Sequence, residues 1–343
     1  VTTTEDFTVE TLIANTILYS FLCPHSICLV IIFNSIKLLV SPACFWPYMN
    51  TMQQWLFLSL LKVCSWLPIT VARKFGRLVS TFLWRFNSRN RLVTEANLQY
   101  CYPTLSLGEQ QELARKSYIG AGEGIAEMGS VWLNPVAQIL AMVESVDSEA
   151  LFKEAVAQSK GTIVLIPHLG NWEVMGLYLA AEHDTTSLYE VSGRTKLDDF
   201  IKKVRSRNGA TLVPTNQKGI SRLFKNLKKG DVTAILPDQL PRERSSGEYA
   251  PLFGNQVLTM TLVSNLLQRT GAAVIFGFAL RTEKGFKIIF KAAKEEIRSE
   301  SQLVSLTALN HGVEECIKCC PAQYVWGYKR FRDRPKAKIS IYD

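Results

Sequence analysis

The feature that most constrains this chain is a regular alternation of short β-rich runs and helical patterns after Trp132. Parallel strands need long crossover connections, which are usually helices, so this alternation predicts a largely parallel sheet flanked by helices. The segment Arg281–Gly285 supplies one hairpin turn. The 343 residues would suffice for about two domains at roughly 150 residues each. The predicted fold class is therefore α/β.

The predicted strands are Thr162 to Ile166, Ser187 to Val191, Thr211 to Val213, Val232 to Leu236, Ala273 to Leu280 and Phe286 to Lys291. The predicted helices are Trp172 to Glu182, Leu197 to Arg207, Ile220 to Lys229, Thr259 to Gln268 and Leu303 to Cys320. Before them, Arg91 to Trp132 is predicted to be helical with a break at Tyr102-Pro103, and Ser106 and Glu109 form a possible capping box.

Two of the predicted strands end in the same way, with a proline followed by a polar residue. The first ends at Pro167-His168 and the second at Pro237-Asp238. In open parallel sheets, ligands bind outside the carboxyl ends of the strands. These two strand ends are therefore the predicted location of the functional site.

The turn after His168 predicts a catalytic pair. Asn171 is a suitable N-cap for the next helix, and Gly170 lets the chain fold back. Glu173 is then expected to reach the imidazole, fix its tautomer and stabilise the imidazolium, which leaves the other ring nitrogen free to accept a proton.

Each of these residues alone has a simpler, structural explanation. Glu173 would favour a helix N-terminus through the helix dipole, and a histidine near a core strand is more often structural than catalytic. Their combination at a buried strand end, with Asp238 at another, favours catalysis. The other histidines, His25, His183 and His311, have no such setting.

Several motifs of other enzyme classes are absent from the sequence. It contains no Gly-x-Ser-x-Gly elbow, no phosphate-binding Gly-x-x-x-x-Gly-Lys loop and no Gly-x-Gly-x-x-Gly fingerprint. These absences argue against a serine hydrolase, a nucleoside triphosphatase and a dinucleotide enzyme. A histidine base without a protein nucleophile implies that the substrate supplies the nucleophile.

The first forty-eight residues carry few charges: Glu5, Asp6, Glu10 and Lys37. They lack the basic region and cleavage site of a secretory signal. The apolar stretch Ser26 to Val40 is fifteen residues long, whereas about 20 are needed to span a bilayer. Two interpretations stay open: a transmembrane helix, or an extension before a natural start at Met49 or Met52.

Residues 49–92 are predicted to anchor the chain to a membrane. Trp55 to Leu67 forms an apolar helix that is too short to span a bilayer, and the basic residues that follow have no acid among them: Arg73, Lys74, Arg77, Arg85, Arg89 and Arg91. This pattern is typical of an interfacial segment facing anionic lipid. An ordinary buried helix with a solvated charged face is the alternative. Residues 93–343 would form the α/β domain.

The charge balance predicts an anionic partner, because 39 Lys and Arg face 30 Asp and Glu, a net charge of +9. Eleven of the cations lie between Arg194 and Lys229, with no recognisable nucleic-acid motif, so no nucleic-acid partner is expected. The eight cysteines are too scattered for a disulfide framework. Cys316, Cys319 and Cys320 lack a second ligand pair for zinc and are interpreted as helix-face thiols, so neither a metal nor a cofactor is expected.

Three sequence blocks together resemble the late acyltransferases of lipid A biosynthesis, part of the glycerolipid-type acyltransferases with a His-x4-Asp/Glu motif. They are Pro167-His-Leu-Gly-Asn-Trp-Glu173, the block from Pro237-Asp-Gln through Arg244-Ser-Ser to Pro251-Leu-Phe-Gly254, and Pro321 to Pro335. The resemblance runs from about Met52 to the C-terminus, and residues 1–48 fall outside it. It implies a glycerolipid acyltransferase-like fold with an N-terminal membrane-associated helix.

The resemblance also implies a function. The enzyme would move an acyl chain from acyl-carrier protein to a hydroxyl of a 3-hydroxyacyl chain on a Kdo-bearing lipid A precursor. His168 would be the base and Glu173 its orienter, without an acyl-enzyme. Arg205 and Arg207 would hold a phosphate or sugar of the acceptor. The residues that would line the same pocket are Asn171, Asp238, Arg244, Ser245 and Ser246.

The implied location is the inner membrane, with a monomeric catalytic domain on its cytoplasmic face. One departure concerns the acceptor: the run from Glu190 to Arg194 lacks the Tyr-Arg-Pro sequence of many members. Acceptors such as another membrane glycolipid or a phospholipid, with acyl-CoA as donor, therefore stay open. A non-catalytic lipid-binding protein of the same fold is a further alternative, although it would predict a broken His-Glu pair.

Overall fold

Seven strands form the central sheet of a computed structural model that describes residues 51–86, 88–190, 195–335 and 340–342. Their order across the sheet is β1-β9-β8-β2-β5-β3-β4, and all neighbours are parallel except β8 and β9. The strands are β1 (Val143–Asp147), β2 (Thr162–Leu165), β3 (Thr185–Tyr189), β4 (Thr211–Pro214), β5 (Val232–Ile235), β8 (Ala273–Arg281) and β9 (Phe286–Ala292). The predicted largely parallel α/β sheet is confirmed. The expected N-terminal extension lies outside the described residues.

Helices flank this sheet on both faces. They are α1 (Thr51–Trp66), α2 (Ile69–Leu83), α3 (Arg89–Cys101), α4 (Leu107–Leu133), α5 (Val136–Leu140), α6 (Glu149–Ala157), α7 (Trp172–Glu182), α8 (Thr195–Arg205), α9 (Gln217–Lys229), α10 (Leu262–Thr270) and α11 (Gln302–Cys319). The predicted capping box opens α4: the Glu109 amide donates to Ser106 Oγ at 3.3 Å, and the Ser106 amide donates to the Glu109 carboxylate at 2.8 Å.

The buried strand β2 divides the apolar core into two layers. Successive side chains of a strand point to opposite faces, so Ile163 and Leu165 enter one layer while Val164 and Ile166 enter the other. The first layer includes residues of α9, α10 and α11, and the second includes residues of α1, α4, α6 and α7. The end of β2 is thereby held from both sides, which fixes where the following residues leave the sheet.

Small residues allow α1 and α2 to approach α4 closely. A Cβ at Gly129 of α4 would lie 2.3 Å from the Leu61 carbonyl oxygen of α1, and a Cβ at Gly76 of α2 would lie 2.4 Å from the Gly122 carbonyl oxygen. Side chains of α1 such as Phe57 and Leu61 are buried in this packing. Of these three helices, α2 keeps the most large apolar side chains exposed, and Val63 and Trp66 of α1 are exposed as well.

No helix among the described residues combines the length and the apolar character needed to cross a bilayer. The exposed apolar side chains of α2 are Val71, Phe75, Leu78 and Phe82, at the i, i+4, i+7, i+11 spacing of one helical face. The division into an anchoring segment at 49–92 and an α/β domain at 93–343 stays a prediction.

A hairpin of β6 (Gly247–Leu252) and β7 (Asn255–Met260) precedes α10. The predicted helix from Thr259 is thereby corrected, because Thr259 and Met260 belong to β7 and α10 begins at Leu262. Phe253 and Gly254 connect the strands with φ of 49° and 73°, as a two-residue turn of the I′ type requires. The strand β6 was not predicted because its alternation of buried and exposed residues is short. It also contains Pro251, a residue type that is rare inside strands.

Candidate active site

The register of the sheet places His168 and Asp238 at equivalent positions on neighbouring strands. Leu165 of β2 pairs with Ile235 of β5, and each polar residue lies three positions further along its own chain. Both are buried, with 6% and 2% of their surface exposed. The two similar strand ends of the sequence thus meet at one edge of the sheet.

Asp238 binds His168 through both carboxylate oxygens. Oδ1 lies 2.8 Å from the imidazole Nδ1, and Oδ2 accepts a hydrogen bond of 2.8 Å from the His168 amide. Burial raises the pKa of this carboxyl, but the charge of His168 and these hydrogen bonds outweigh it, so the pKa of Asp238 lies below its usual range. The ionised carboxylate accepts from Nδ1, and in the neutral imidazole Nε2 then carries the lone pair.

Among the described residues, the side-chain amide of Gln239 is the hydrogen-bonding partner of the other imidazole nitrogen. Its Nε2 lies 3.1 Å from His168 Nε2 and donates to it in this tautomer. The indole of Trp172 packs beside the imidazole, with ring centroids 5.0 Å apart. His168 thus has one nitrogen fixed by a carboxylate and the other available to a proton donor.

The segment around Tyr324 closes the site from the other side. The Val325 amide donates to the His168 carbonyl at 3.1 Å, and Leu169 and Tyr324 form an antiparallel bridge. Burial raises the pKa of Tyr324 well above its ordinary value, and the carboxylate of Asp238, which its hydroxyl contacts, raises it further. Asp238 is consequently held between an imidazole and a neutral phenol.

Glu173 does not hold the imidazole, and the prediction that it orients His168 is wrong. Its carboxylate accepts from Arg205 Nε at 3.1 and 3.0 Å and also from Nη2. Burial lowers the pKa of Arg205, but the charge of Glu173 more than compensates, so the net pKa is raised. The reason is geometric. Glu173 lies in the first turn of α7, and its carboxylate contacts Arg205 of α8. The register of β2 and β5 instead places Asp238 beside the imidazole.

Asn171 and Arg207 have structural partners rather than open positions for a substrate. Asn171 caps α7 by accepting from the Val174 amide at 3.2 Å, as its N-cap assignment predicts, and its Nδ2 donates to Glu127 at 2.9 Å. Arg207 Nη1 donates to carbonyls at the end of α4, those of Trp132 at 2.7 Å and Asn134 at 2.9 Å. The expectation that Arg207 binds the acceptor is wrong, because its guanidinium closes a helix end.

Arg244, Ser245 and Ser246 form a short 3₁₀ helix before β6. Arg244 donates to the Tyr249 hydroxyl and lies 3.4 Å from Asp333, and the Ser246 carbonyl accepts from the Thr261 amide at 3.1 Å. These contacts hold the segment against the hairpin. A role of the three residues in substrate binding stays a prediction.

A buried ion cluster lies behind the turn from His168 to Asn171, called the catalytic turn below because of its proposed role. This cluster was not predicted from the sequence. The carboxylate of Glu127 on α4 is fully buried, with Arg73 Nε at 2.6 Å and Arg281 Nε at 3.7 Å. Its other oxygen accepts from Asn171. The available signal was an isolated acid within the apolar run from Ile125 to Leu133. Through Asn171, this cluster ties α2 and α4 to the turn that carries His168.

An open cleft lies beside this turn. Its lining is mainly apolar and comes from α4, from Gly170 to Trp172 and from the segment Gln323 to Val325, with the Arg281 side chain as the charged exception. Trp172 contacts both the cleft and the imidazole. The cleft therefore provides an apolar surface next to the imidazole of His168.

The arrangement is suited to deprotonating a hydroxyl that the substrate supplies. Within the described residues, the imidazole nitrogens contact Asp238 and Gln239, and neither ring nitrogen hydrogen-bonds to a serine, threonine or cysteine side chain. A general base without a protein nucleophile supports direct transfer between two substrates.

Comparison with known proteins identifies the family of this chain. The family of bacterial lipid A biosynthesis acyltransferases matches residues 46–333. The lipid A biosynthesis lauroyltransferase of Escherichia coli K12 is 25% identical over 291 residues, 84% of this chain and 94% of that protein. The palmitoleoyltransferase of the same organism is 23% identical, with 84% and 94% covered, and the myristoyltransferase is 21% identical, with 76% and 81% covered. On this evidence the chain is an acyltransferase and belongs to the bacterial lipid A biosynthesis acyltransferase family.

Proposed function

We propose that this enzyme transfers a fatty acyl group from acyl-carrier protein to the hydroxyl of a 3-hydroxyacyl chain on a Kdo-bearing lipid A precursor. The family match and the names of the relatives, which transfer lauroyl, palmitoleoyl and myristoyl groups in lipid A biosynthesis, support this acceptor class. The observation that carries the mechanism is the His168 imidazole with Nδ1 held by Asp238 and the Nε2 lone pair available.

The proposed step is direct acyl transfer. His168 Nε2 takes the proton of the acceptor hydroxyl while its oxygen attacks the thioester carbonyl carbon, and Asp238 stabilises the imidazolium. Collapse of the tetrahedral intermediate breaks the carbon–sulfur bond. The imidazolium then returns its proton to the departing thiolate, so the products are an ester and a free thiol and no acyl-enzyme forms.

The amide of Gln239 occupies the position that the acceptor hydroxyl must take. It donates to the same Nε2 lone pair, at 3.1 Å. A bound hydroxyl replaces this contact, and the half-buried amide is released to donate elsewhere in the site. Gln239 therefore keeps the imidazole in its reactive tautomer until the acceptor arrives.

Arg205 remains the proposed contact for a phosphate or sugar of the acceptor. Two of its three nitrogens bind Glu173, and its side chain is 33% exposed. An arginine held on one edge by a carboxylate can present its other edge to an anionic group. In this proposal Glu173 positions Arg205 and acts on the acceptor rather than on the imidazole.

The proposed location is the cytoplasmic face of the inner membrane, with the enzyme as a monomer. The support is the outer face of α2, where exposed Val71, Phe75 and Leu78 lie beside the exposed cations Lys74 and Arg77. Apolar side chains flanked by basic ones are typical of helices that lie in an anionic lipid surface. In this proposal, the outer face of α2 holds the enzyme at the surface where a lipid acceptor is found.

The experiment is a transfer assay with labelled acyl-carrier protein and a tetra-acylated lipid A precursor, run beside acyl-CoA and a phospholipid acceptor. His168→Ala is expected to lose on the order of 10²-fold or more of the turnover, because the general base is gone. His311→Ala serves as the control, since that side chain is half-buried on α11 and lies 3.9 Å from Glu315. Unchanged turnover in His168→Ala would remove the mechanism, and equal or better use of acyl-CoA would remove the donor assignment.

A further inference from the structure

A row of cations occupies one exposed face of α9. Lys218, Arg222, Lys225 and Lys229 follow the i, i+4, i+7, i+11 spacing that aligns side chains along a helix, and all four are exposed. The sequence has no Asp or Glu between Asp199 and Asp231. Among the described residues, none of the four forms a salt bridge. This face, called the α9 face below, thus carries four charges that no carboxylate of the described chain balances.

The α9 face differs in kind from the outer face of α2. The large exposed apolar side chains of the described residues include Phe75 and Leu78 of α2 but none from α9. The aromatic ring of Phe224 is covered by Lys228 at 5.2 Å and Arg269 at 4.7 Å. A helix that inserts into lipid needs an apolar face, whereas a charged, polar face suits a protein of opposite charge.

The position of α9 relative to the site suits delivery of a substrate. It begins directly after β4, at the same edge of the sheet as His168, because β2, β5, β3 and β4 are parallel neighbours. Three strand spacings of about 4.8 Å separate β2 from β4, about 14 Å in all. A protein bound at the Lys218 end therefore needs only a flexible arm of that order to reach the imidazole.

The N-terminus of α9 is also rigidly mounted. Asn216 caps it by accepting from the Gly219 amide at 3.0 Å. Gly219 packs so closely on the end of β4 that a Cβ there would lie 1.9 Å from the Pro214 carbonyl oxygen. The charges at this end consequently keep a fixed position relative to the sheet edge.

We propose that the α9 face is the docking surface for the acidic carrier protein that delivers the acyl thioester. This inference rests on the proposed function, which names that donor. Complementary charge over a rigid helix directs encounter and orientation, and the flexible arm of the carrier then extends along the sheet edge to His168.

The test is charge reversal in the full-length enzyme. Arg222→Glu with Lys225→Glu is expected to raise the KM for acyl-carrier protein by on the order of tenfold and to weaken binding of the carrier equally, with kcat little changed. Both side chains are exposed, so the fold is retained. The control is Lys116→Glu with Lys153→Glu, which changes the net charge by the same amount on the exposed parts of α4 and α6. Added salt should reduce the difference between the two variants.

A second measurement separates the possible failures. Binding to vesicles of anionic phospholipid should be unchanged in the α9 variant. If that variant loses vesicle binding and keeps carrier binding, the face contacts lipid and the inference is overturned. Equal carrier binding by wild type, variant and control overturns it as well. If the wild type binds no carrier protein at all, the donor of the proposed function fails, and the docking surface fails with it.

Discussion

Of the carboxylates near the turn that carries His168, those of Asp238 and Glu173 have different partners. Asp238 holds the imidazole and the backbone of His168, whereas Glu173 binds Arg205. A carboxylate on Nδ1 sets the tautomer and stabilises the protonated ring, so its loss lowers turnover. In the proposed function Glu173 orients Arg205 toward the acceptor, so the loss of this carboxylate would weaken acceptor binding.

Substitution of each carboxylate by its amide separates these roles. Asp238→Asn is expected to lower kcat by on the order of 10²- to 10⁴-fold, with a small effect on the KM for the acceptor. Glu173→Gln is expected to raise the acceptor KM more than it lowers kcat, because Arg205 loses its charged partner. Steady-state kinetics with varied acceptor provides the measurement. A Glu173→Gln defect confined to kcat, with normal turnover in Asp238→Asn, would contradict this assignment.

The sequence was sufficient to find His168 and Asp238 but not to pair them. Both strands end with a proline followed by a polar residue, and this shared pattern indicated the edge of the sheet at which the site lies. The pairing depends on β2 and β5 being neighbours in register, a tertiary property that spacing along the chain does not encode. Glu173 is close to His168 in sequence, but its carboxylate is taken by Arg205, which is 32 residues away.

At the level of elements, α2 has two faces with different roles. Its inner face places Arg73, Gly76 and Ser80 in the packing with α4, whereas Val71, Phe75 and Leu78 remain exposed. The sequence predicted an interfacial segment in this region but assigned the apolar contact to Trp55–Leu67. The structure buries much of that helix against α4, because Gly129 admits its backbone.

Replacing the exposed apolar side chains of α2 tests the proposed contact of this helix with a membrane. Phe75→Ser with Leu78→Ser is expected to reduce binding to anionic vesicles severalfold, because each loses buried apolar area in the lipid interface. Vesicle flotation measures the effect. Leu303→Ser with Val304→Ser, which are similarly exposed on α11, is the control. Equal flotation of both variants and the wild type would exclude this face as the contact.

Two glycines of α4 provide a matched test of the helix packing. A Cβ at Gly129 would lie 2.3 Å from the Leu61 carbonyl oxygen and 2.7 Å from Cys64 Cβ, whereas a Cβ at Gly108 meets nothing within 4 Å. Gly129→Ala is expected to lower the free energy of unfolding by about 1–3 kcal/mol, since α1 must shift. Gly108→Ala should leave it unchanged or raise it by up to about 1 kcal/mol. Urea denaturation of both variants distinguishes these outcomes, and equal stability would contradict the close contact.

The strands that were not predicted from the sequence have a short alternation of apolar and polar residues, or they depend on pairing with distant parts of the chain. The capping box and the break at Tyr102-Pro103 located α3 and α4, because capping is a local interaction. The strand β1 has five residues and a mostly exposed pattern, so its pairing with β9 was not visible. The hairpin of β6 and β7 was hidden by Pro251 and Gly254, which favour loops in a single sequence.

At the scale of the whole molecule, several phenols are kept protonated by burial. Desolvation raises the pKa of Tyr102 to about 12, from an ordinary value of 10.0, and it also raises the pKa of Tyr324 and Tyr342. A group with a higher pKa in the folded state stabilises that state fully below its ordinary pKa, and the contribution is lost as the pH rises above it. These tyrosines therefore make the fold sensitive to alkali.

The free energy of unfolding is accordingly expected to fall as the pH is raised above 10. Tyrosinate absorbance and far-ultraviolet circular dichroism, recorded in the same titration, measure this. The buried tyrosines should ionise together with the loss of secondary structure, while the exposed ones ionise earlier. Ionisation of all tyrosines near their ordinary pKa, with the circular dichroism unchanged, would contradict the burial that the structure assigns to them.

The contacts that Val325 and Tyr324 make with the catalytic turn have a consequence for synthesis. The His168 carbonyl, the Leu169 bridge and the Asp238 carboxylate all take partners from this segment, which is made more than 150 residues after His168. On the ribosome, the strands can pair before those partners emerge, but the turn cannot reach its final geometry. A nascent chain therefore lacks the contacts that complete this turn until translation has passed residue 325.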